Sequence, residues 1–241
     1  MKAAEAAEFF DTRAGAYDSS YDDSVHGRLL RRRLDVVVRF AGDGPGEALD
    51  AGMGGGRLVA ALAERGWEMS GADLSAGMVA LARARLPAAV SRLVEAPLER
   101  LPFAEGSFDL VIATGVIEYA EDPARALGEL ARTLRGGGRM IVSCPNSAGV
   151  PVRLDHLLAR VRRPAGQPWK GGVRRLESLL GGAGLRVLEE EACSVRALPR
   201  PLARLMPGLD DRLGRALEGR SETVARRFAT QIVVVATKTE P

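Results

Sequence analysis

The chain has 241 residues, of which 46% are hydrophobic and 27% are charged, and its formal net charge at pH 7 is +3. Its basic residues are interspersed with acidic ones and form no dense tract with aromatic residues, which argues against a nucleic-acid partner. The two cysteines, Cys144 and Cys193, are too few for a disulfide framework or a four-cysteine zinc site, so a reducing compartment is predicted.

The N-terminal part of the chain, residues 1–45, is predicted to form a helical cap. Apolar residues at helical spacing predict helices over Ala6–Thr12 and Gly27–Phe40. The first residues lack the apolar core of a signal peptide, and no apolar run reaches the roughly 18 residues of a spanning helix. We therefore expect a cytoplasmic protein without stable membrane insertion.

The next segment combines an acidic strand end with a glycine-rich turn. A strand is predicted over Ala48–Ala51, with Asp50 near its end, and a helix over Arg57–Arg65. Glycines alternate with other residues between these elements, at Gly52, Gly54 and Gly56. Because glycine adopts positive φ without strain and lets the backbone approach a ligand, the turn is predicted to bind a cofactor. A dinucleotide pattern requires a small residue where Arg57 stands, which weakens the case for a nicotinamide cofactor.

A second acidic residue ends the following predicted strand, Glu68–Asp73. Asp73 lies 21 residues after Gly52, close to the roughly 20 expected for a ribose-binding acid in such a unit. A carboxylate here accepts both ribose hydroxyls, in NAD or in another nucleoside cofactor. Asp73 or Ser75 could instead cap the helix predicted over Ala76–Leu86, and capping by Ser75 with ribose binding by Asp73 is favoured. The same cofactor site is predicted to include the neighbouring Leu74 and Met78.

Two strands are predicted in the centre of the chain, over Ser91–Glu95 and Phe108–Ala113. The second is an apolar run interrupted only by Asp109. Thr114 and Gly115 follow it at its carboxyl end, which is where open α/β sheets bind ligands. Both residues are therefore predicted to contact the cofactor.

Boundary signals surround the next helix, which is predicted over Pro123–Leu134. Asp122 can cap it, proline suits its first position, and Gly136–Gly138 are expected to end it before a strand over Arg139–Cys144. The last predicted elements are a helix and two strands, over Gly172–Gly181, Leu185–Glu191 and Ala229–Lys238. This alternation of strands and helices predicts an α/β protein with a parallel sheet.

The motifs from Ala48 to Cys144 resemble those of class I S-adenosylmethionine (SAM) methyltransferases. The resemblance rests on Asp50-x-Gly52-x-Gly54-x-Gly56, on Asp73 and on Leu101–Ala120. Within the family, the chain is most similar to small-molecule methyltransferases related to ubiquinone and menaquinone biosynthesis and to natural-product tailoring. This implies a Rossmann-like seven-stranded fold, mostly parallel, with the last strand antiparallel beside the fifth and helices on both faces.

The resemblance also implies SAM as the cofactor and S-adenosylhomocysteine as the product. The acceptor is then a small organic molecule, methylated preferentially at oxygen, with carbon and nitrogen as alternatives. Tyr17 and Asp18 match a segment that covers the cofactor in the family, or they belong to an ordinary amphipathic helix and turn. Relatives hold adenine through an acid near this chain's Glu95, but the backbone around Ala96 and Leu98 is favoured here.

One domain is predicted over residues 1–241, with a SAM-binding core at residues 46–146. Residues 147–171 and 199–228 are insertions that should build the acceptor pocket. Both mix apolar residues at helical spacing with arginines. Packing against the sheet is the first interpretation, an apolar acceptor pocket the second and transient contact with a membrane surface the third.

Few side chains are candidates for a catalytic role. A sulfonium methyl is already electrophilic, so a base is required only for an acceptor that must lose a proton. His26 and His156 titrate near neutral pH, although either could be inert. Tyr119 replaces the histidine of a metal-assisted Glu-His-x-x-Asp pattern in relatives, so no metal site is predicted and Tyr119 is expected to orient an acceptor or pack over the cofactor.

Two other classes of protein stay open from the sequence. One is a nicotinamide-dependent oxidoreductase, against which Arg57 and the fourth-strand resemblance argue. The other is a SAM-binding protein without transfer activity, because such a protein could retain Asp50, Asp73 and the glycines. The sequence predicts no oligomeric state.

Overall fold

The computed structural model describes residues 3–15, 17, 24–87, 92–158, 172–218 and 220–239. The helices in these ranges are α1 (Ala3–Ala14), α2 (Val25–Ala41), α3 (Arg57–Ala63), α4 (Ala76–Arg85), α5 (Pro123–Thr133), α6 (Val150–Leu158), α7 (Gly172–Gly182), α8 (Arg200–Leu205), α9 (Pro207–Glu218) and α10 (Glu222–Phe228). The strands are β1 (Glu47–Ala51), β2 (Glu68–Asp73), β3 (Leu93–Glu95), β4 (Phe108–Ala113), β5 (Leu134–Pro145), β6 (Leu185–Val195) and β7 (Ala229–Lys238). Among the described helices, none combines the length and the apolar character that crossing a membrane requires.

The strands form one sheet in the order β3-β2-β1-β4-β5-β7-β6. The first five pair in parallel, whereas β7 runs antiparallel to both β5 and β6. The predicted seven-stranded sheet, with its last strand antiparallel beside the fifth, is confirmed. Because β6 and β5 are both antiparallel to β7, they run in the same direction. The carboxyl ends of β1, β2, β4 and β6 therefore share one edge of the sheet, here called the carboxyl edge.

Alternate residues of β4 pack into two separate hydrophobic cores. Val111 lies in one core with Leu130 of α5, and Ile112 lies in the other with Val59 of α3. All four side chains are fully buried. A strand covered on both faces reads as a continuous apolar run, which explains the sequence of β4. The prediction of helices on both faces of the sheet is confirmed.

The boundary between α5 and β5 differs from the prediction. The helix ends at Thr133, and the strand begins at Leu134 instead of Arg139. The prediction that Gly136–Gly138 stop the helix was wrong, since these glycines lie within β5. The register of β5 against β4 shifts there, and Gly137 has a φ of 73°. The glycines therefore accommodate a bulge in the sheet.

The predicted cap at the start of α5 is present and gives a first testable expectation. Asp122 Oδ1 accepts hydrogen bonds from Ala124 N (3.0 Å) and Arg125 N (3.1 Å). We expect Asp122→Ala to lower the free energy of unfolding by about 1 kcal/mol, because two amides of the first turn lose their acceptor. Urea denaturation measures this loss, with Asp43→Ala at an exposed ion pair as the control. Equal stability of the two variants would contradict the capping role.

Candidate active site

The turn between β1 and α3 has a backbone conformation that favours glycine. Gly52, Gly54 and Gly56 have φ values of 80°, 53° and 74°. A Cβ atom on Gly52 would lie 2.4 Å from a side-chain atom of Val116, and one on Gly54 would lie 2.7 Å from the hydroxyl of Tyr17. A side chain at either position would fill the space beside the turn. Because glycine leaves that space empty, a bound molecule can come close to the backbone of the turn.

Most amides of this turn are bonded within the protein. Gly52 N and Met53 N both donate to Ala72 O, at 2.7 and 3.1 Å. Gly54 N donates to Asp73 Oδ2 at 2.8 Å. The turn thus contributes its shape, more than free amide donors, to a binding site. The Asp73 carboxylate at the end of β2 holds the turn in its conformation.

Ser75 takes the capping role that the sequence left open between it and Asp73. The Ser75 hydroxyl accepts from Met78 N at 3.1 Å and so caps α4. Asp73 Oδ1 accepts from Ser75 N at 2.9 Å, while Oδ2 binds Gly54 N. Burial raises the pKa of Asp73, and these backbone hydrogen bonds oppose the rise. Helix capping by Ser75 is present, and Asp73 remains available to bind a ligand at the carboxyl edge.

Asp50 is a buried carboxyl group near the end of β1. Burial raises the pKa of Asp50 to about 7, the charge of Asp73 adds to the rise, and Arg33 opposes it. A cationic ligand group beside Asp50 would favour its ionised form. The carboxyl is therefore suited to receive an ammonium group.

Arg33 of α2 is a site residue that the sequence analysis missed. A Cβ on Gly115 would lie 2.5 Å from its Nη1 atom, so its guanidinium group lies against the backbone after β4. The positive charge also acts on the buried Asp50 and Glu118. The sequence does not distinguish Arg33 from its neighbours, because Arg31, Arg32 and Arg33 are consecutive. Only the rotation of α2 about its axis decides which of them faces inward.

Two adjoining clefts lie at the carboxyl edge, with volumes of about 770 and 450 Å³. They share Tyr17, Arg33, Gly52 and Thr114 as lining residues. The larger cleft also contains the predicted cofactor residues Gly54, Asp73, Leu74, Met78, Ala96, Leu98 and Gly115. Asp50 lines the smaller cleft. The structure therefore brings together every predicted cofactor residue except Gly56, which packs beside Ala82 of α4.

The chain after β3 lines part of the larger cleft. Ala96 and Leu98 line the cleft, whereas Glu95 is exposed and outside the lining. Ala96 N donates to Asp73 O at 2.9 Å, which holds this segment beside β2. The backbone alternative for the adenine site stays a prediction. Glu99, which sequence reasoning did not select, also lines the cleft.

The candidate catalytic residues lie in different places. Tyr119 lines the larger cleft, and its ring packs edge-on against Phe10 of α1 at 5.2 Å between centroids. His26 is exposed in the first turn of α2 and lines neither cleft. His156 belongs to α6, but its side chain is outside the described part of the structure. Asp18, predicted to accompany Tyr17, also lies outside the described residues. Tyr119 is therefore the predicted catalytic candidate that the structure brings to the cleft.

Two buried ionisable groups lie near the clefts without lining them. Glu118 is 3% exposed, and burial raises its pKa. Burial also raises the pKa of the Cys144 thiol to about 12, so this thiol is neutral at physiological pH. Within the described ranges, no three histidine, cysteine or acidic side chains are grouped so as to hold a metal ion.

The described segments of the two predicted insertions do not reach these linings. α6 and the helices α8–α10 contribute no residue to either cleft. The walls outside the core come instead from α1 and α2, through residues such as Phe10 and Leu34. A role of the insertions in acceptor binding stays a prediction.

Sequence comparison identifies relatives along most of the chain. Residues 49–142 match the family described as "Methyltransferase domain". A demethylmenaquinone methyltransferase from Thermus thermophilus is 42% identical over 182 residues, which cover 73% of this chain and 76% of that protein. A malonyl-[acyl-carrier protein] O-methyltransferase from Pseudescherichia vulneris is 32% identical, over 57% of this chain and 53% of that protein. Against this second relative, the match spans about half of the protein's length.

Solved structures share the fold over nearly the whole chain. A Haloferax volcanii methyltransferase, solved in a complex with the activator Trm112, has a TM-score of 0.72 and 24% identity, covering 96% of this chain and 98% of that one. The [4+2]-cyclase SpnF has a TM-score of 0.71 and 21% identity, covering 100% of this chain and 98% of that one. At these identities the likeness extends to the fold alone.

Proposed function

The chain belongs to the class I SAM-dependent methyltransferases, and we propose that it methylates an oxygen atom of a small apolar organic acceptor. Family membership favours SAM over the nicotinamide cofactor that the glycine turn alone left open. The observation that carries the proposal is the pair of adjoining clefts at the carboxyl edge, which the predicted cofactor residues line. Such an edge is the usual ligand site of an open α/β sheet.

The residues around the clefts fit SAM. Bound SAM supplies an electrophilic methyl group on a sulfonium centre. Asp73 would accept hydrogen bonds from the ribose hydroxyls, beside the turn whose Gly52 and Gly54 have no space for a side chain. The backbone at Ala96 and Leu98 would hold the adenine ring.

The smaller cleft offers charges that complement the zwitterionic amino-acid end of SAM. Asp50 would accept from the ammonium group, and Arg33 would donate to the carboxylate. Both side chains line this cleft, and the charge of Arg33 acts on Asp50. This pairing orients SAM along the two clefts, with its adenosine in the larger one.

Aromatic residues would exclude water and align the acceptor. Phe10 and Tyr119 form one wall of the larger cleft, and Tyr17 lines both clefts. Holding two reactants in line can lower the activation free energy by about 7–11 kcal/mol. An acceptor oxygen that ionises without help, as in a carboxylic acid or an acidic phenol, requires no base from the protein. Oxygen is favoured by the likeness to an O-methyltransferase, the malonyl-[acyl-carrier protein] enzyme of Pseudescherichia vulneris.

A second candidate acceptor is demethylmenaquinone. The match to the Thermus thermophilus enzyme, at 42% identity over 76% of its length, favours this compound. Methylation there would use the same cofactor clefts.

Turnover distinguishes these acceptors. The purified protein would be incubated with SAM and, separately, with a panel of carboxylic acids, a panel of phenols, and reduced demethylmenaquinone, and methylated products would be identified by mass spectrometry. An O-methylated product from either panel would support the proposal; a product from demethylmenaquinone alone would replace it with the second candidate. If calorimetry shows that SAM binds but no acceptor is methylated, the result would point to a SAM-binding protein without transfer activity.

Arg33 provides a test of how SAM is oriented. We expect Arg33→Ala to raise the dissociation constant for SAM about tenfold, about 1.4 kcal/mol, because the carboxylate loses a charge-assisted donor. Arg39→Ala, on the exposed surface of the same helix, should leave the constant unchanged. Calorimetric titration measures both constants. If the two variants bind SAM equally well, Arg33 does not contact the cofactor.

A further inference from the structure

Helices α8 and α9 have an inverted distribution of apolar side chains. The residues that they bury are Ala203, Asp210 and Gly214, which are small or charged. Five large apolar side chains are exposed in these helices and at Met206 between them, namely Leu202, Leu205, Met206, Leu209 and Leu213, and these five residues are called the α8–α9 apolar face; Leu217 packs against the protein instead. Leu202 and Leu205 lie three residues apart in α8, and Leu209 and Leu213 lie four residues apart in α9, so each pair shares one side of its helix; Met206 lies between the two helices. Folding of the chain thus leaves this face in solvent.

Exposed apolar side chains are concentrated in this part of the molecule. Among the described residues, eight large apolar side chains are strongly exposed, and five of them form the α8–α9 apolar face. Two more, Val150 and Leu157, belong to α6, which contacts α8. The eighth, Leu188, lies on β6. A concentration of exposed large apolar side chains of this kind indicates an interaction site.

The charges around the face are sorted by sign. All three acids between residues 200 and 218 face inward: Asp210 accepts from Ala197 N and Leu198 N, while Asp211 and Glu218 pair with Arg32 of α2. The arginines of the same segment are exposed, namely Arg200, Arg204, Arg212 and Arg215. The solvent side of α8–α9 therefore combines leucines with positive charge.

This combination matches an anionic lipid surface. We propose that the α8–α9 apolar face docks the protein on a bilayer that contains anionic lipids. Leucines on one side of a helix enter the boundary between headgroups and acyl chains, and flanking arginines pair with lipid phosphates. A purely apolar protein partner would offer no counter-charge to Arg204 and Arg212, whereas Arg200 and Arg215 already lie beside Asp155 and Asp211.

The face also lies close to the cofactor clefts. α8 follows β6, whose end lies at the carboxyl edge, and α9 is tied to α2 through the ion pair between Arg32 and Asp211 at 2.8 Å. Other residues of α2, including Arg33, line the clefts. A docked bilayer would therefore adjoin the edge at which an apolar acceptor has to enter. The docking proposal rests on the proposed function, because it explains how an apolar acceptor would reach the clefts. Binding to vesicles can nevertheless be measured without methyl transfer.

Vesicle sedimentation tests the proposal with the full chain. Vesicles of phosphatidylcholine and phosphatidylglycerol in equal amounts should bind the protein at least about tenfold more strongly than pure phosphatidylcholine vesicles, and added salt should weaken the binding. The double variant Leu205→Asp/Leu209→Asp should lose at least about tenfold in vesicle partitioning. Leu188→Asp, which changes an exposed leucine on β6, is the matched control and should bind like the original protein.

Separate measurements keep failure of the surface distinct from failure of the proposed function. Both substituted leucines are exposed, so SAM binding by calorimetry and the melting temperature should be unchanged in the double variant. Absence of binding to anionic vesicles, or equal binding by the double variant, would overturn the docking proposal while intact SAM binding left the methyltransferase site standing. A dimer seen by sedimentation velocity that the double variant abolishes, without vesicle binding, would also overturn it, because the face would then join two copies of the chain.

Discussion

Replacing Asp73 with alanine should raise the dissociation constant for SAM by more than tenfold, a loss of about 1.5–3 kcal/mol. Two effects combine. The ribose hydroxyls lose a charge-assisted acceptor, and the amides of Gly54 and Ser75 lose the carboxylate that now accepts from them at 2.8 and 2.9 Å. Gly54 belongs to the turn that approaches the cofactor. Loss of its hydrogen bond to Asp73 therefore also makes the turn less rigid.

Asp210 is a suitable control for this substitution. It is also buried, and its Oδ1 accepts from Ala197 N and Leu198 N, at 3.0 and 2.8 Å, outside both clefts. Asp210→Ala should lower the free energy of unfolding and leave SAM binding unchanged. Calorimetry on both variants separates a binding role from a structural one. A dissociation constant for Asp73→Ala within twofold of the original would remove Asp73 from the ribose site.

The parts of the site that the sequence predicted are those determined by local interactions. The glycine turn requires positive φ at Gly52, Gly54 and Gly56, and no tertiary contact is needed to recognise that requirement. Ser75 and Asp122 cap helices through amides two or three residues away. In a parallel sheet the ends of β1, β2 and β4 necessarily meet at one edge, so these local signals also located the clefts.

The parts that the sequence did not predict depend on contacts between distant segments. Arg32 pairs with Asp211 and Glu218 in α9, whereas the adjacent Arg33 turns about 100° around the helix into the clefts. Nothing within α2 distinguishes the two arginines. His26 is exposed for the same reason, since packing of α2 on the sheet decides which of its residues face the site. The glycines of β5 were misassigned because a bulge depends on the register against β4.

A second large effect is expected from the ionisation of Asp50. Burial raises the pKa of Asp50 from 3.8 to about 7 in the folded protein. A rise of about three pKa units corresponds to about 4 kcal/mol of differential stability. Because the folded state binds this proton more tightly than the unfolded state, the contribution is fully present below about pH 4. It is lost progressively as the pH rises to about 7, so Asp50 destabilises the ligand-free protein above that pH.

Urea denaturation of the ligand-free protein at several pH values measures this effect. Asp50→Asn should stabilise the protein at pH 8 by an amount of the order of 4 kcal/mol, and should reduce the fall in stability between pH 5 and pH 7. Asp73 and Glu118, whose pKa values burial also raises, contribute a fall of the same sign that the variant retains. Asp109→Asn is the control: its ion pair with Arg135 lowers the pKa of Asp109, so that its titration lies below this window.

The same proton links stability to cofactor binding. The ammonium group of SAM favours ionised Asp50, so SAM should bind more tightly as the pH rises through about 7, and binding below that pH should release a proton from the carboxyl group. Calorimetry at pH 6 in two buffers of different ionisation enthalpy counts the protons released, and Asp50→Asn should abolish that release. Proton release that persists in the variant would assign it to another group. The buried Asp50 carboxyl thus lowers the stability of the ligand-free protein and raises its affinity for SAM at neutral pH. This accounts for an acid in a position where an amide would destabilise the protein less.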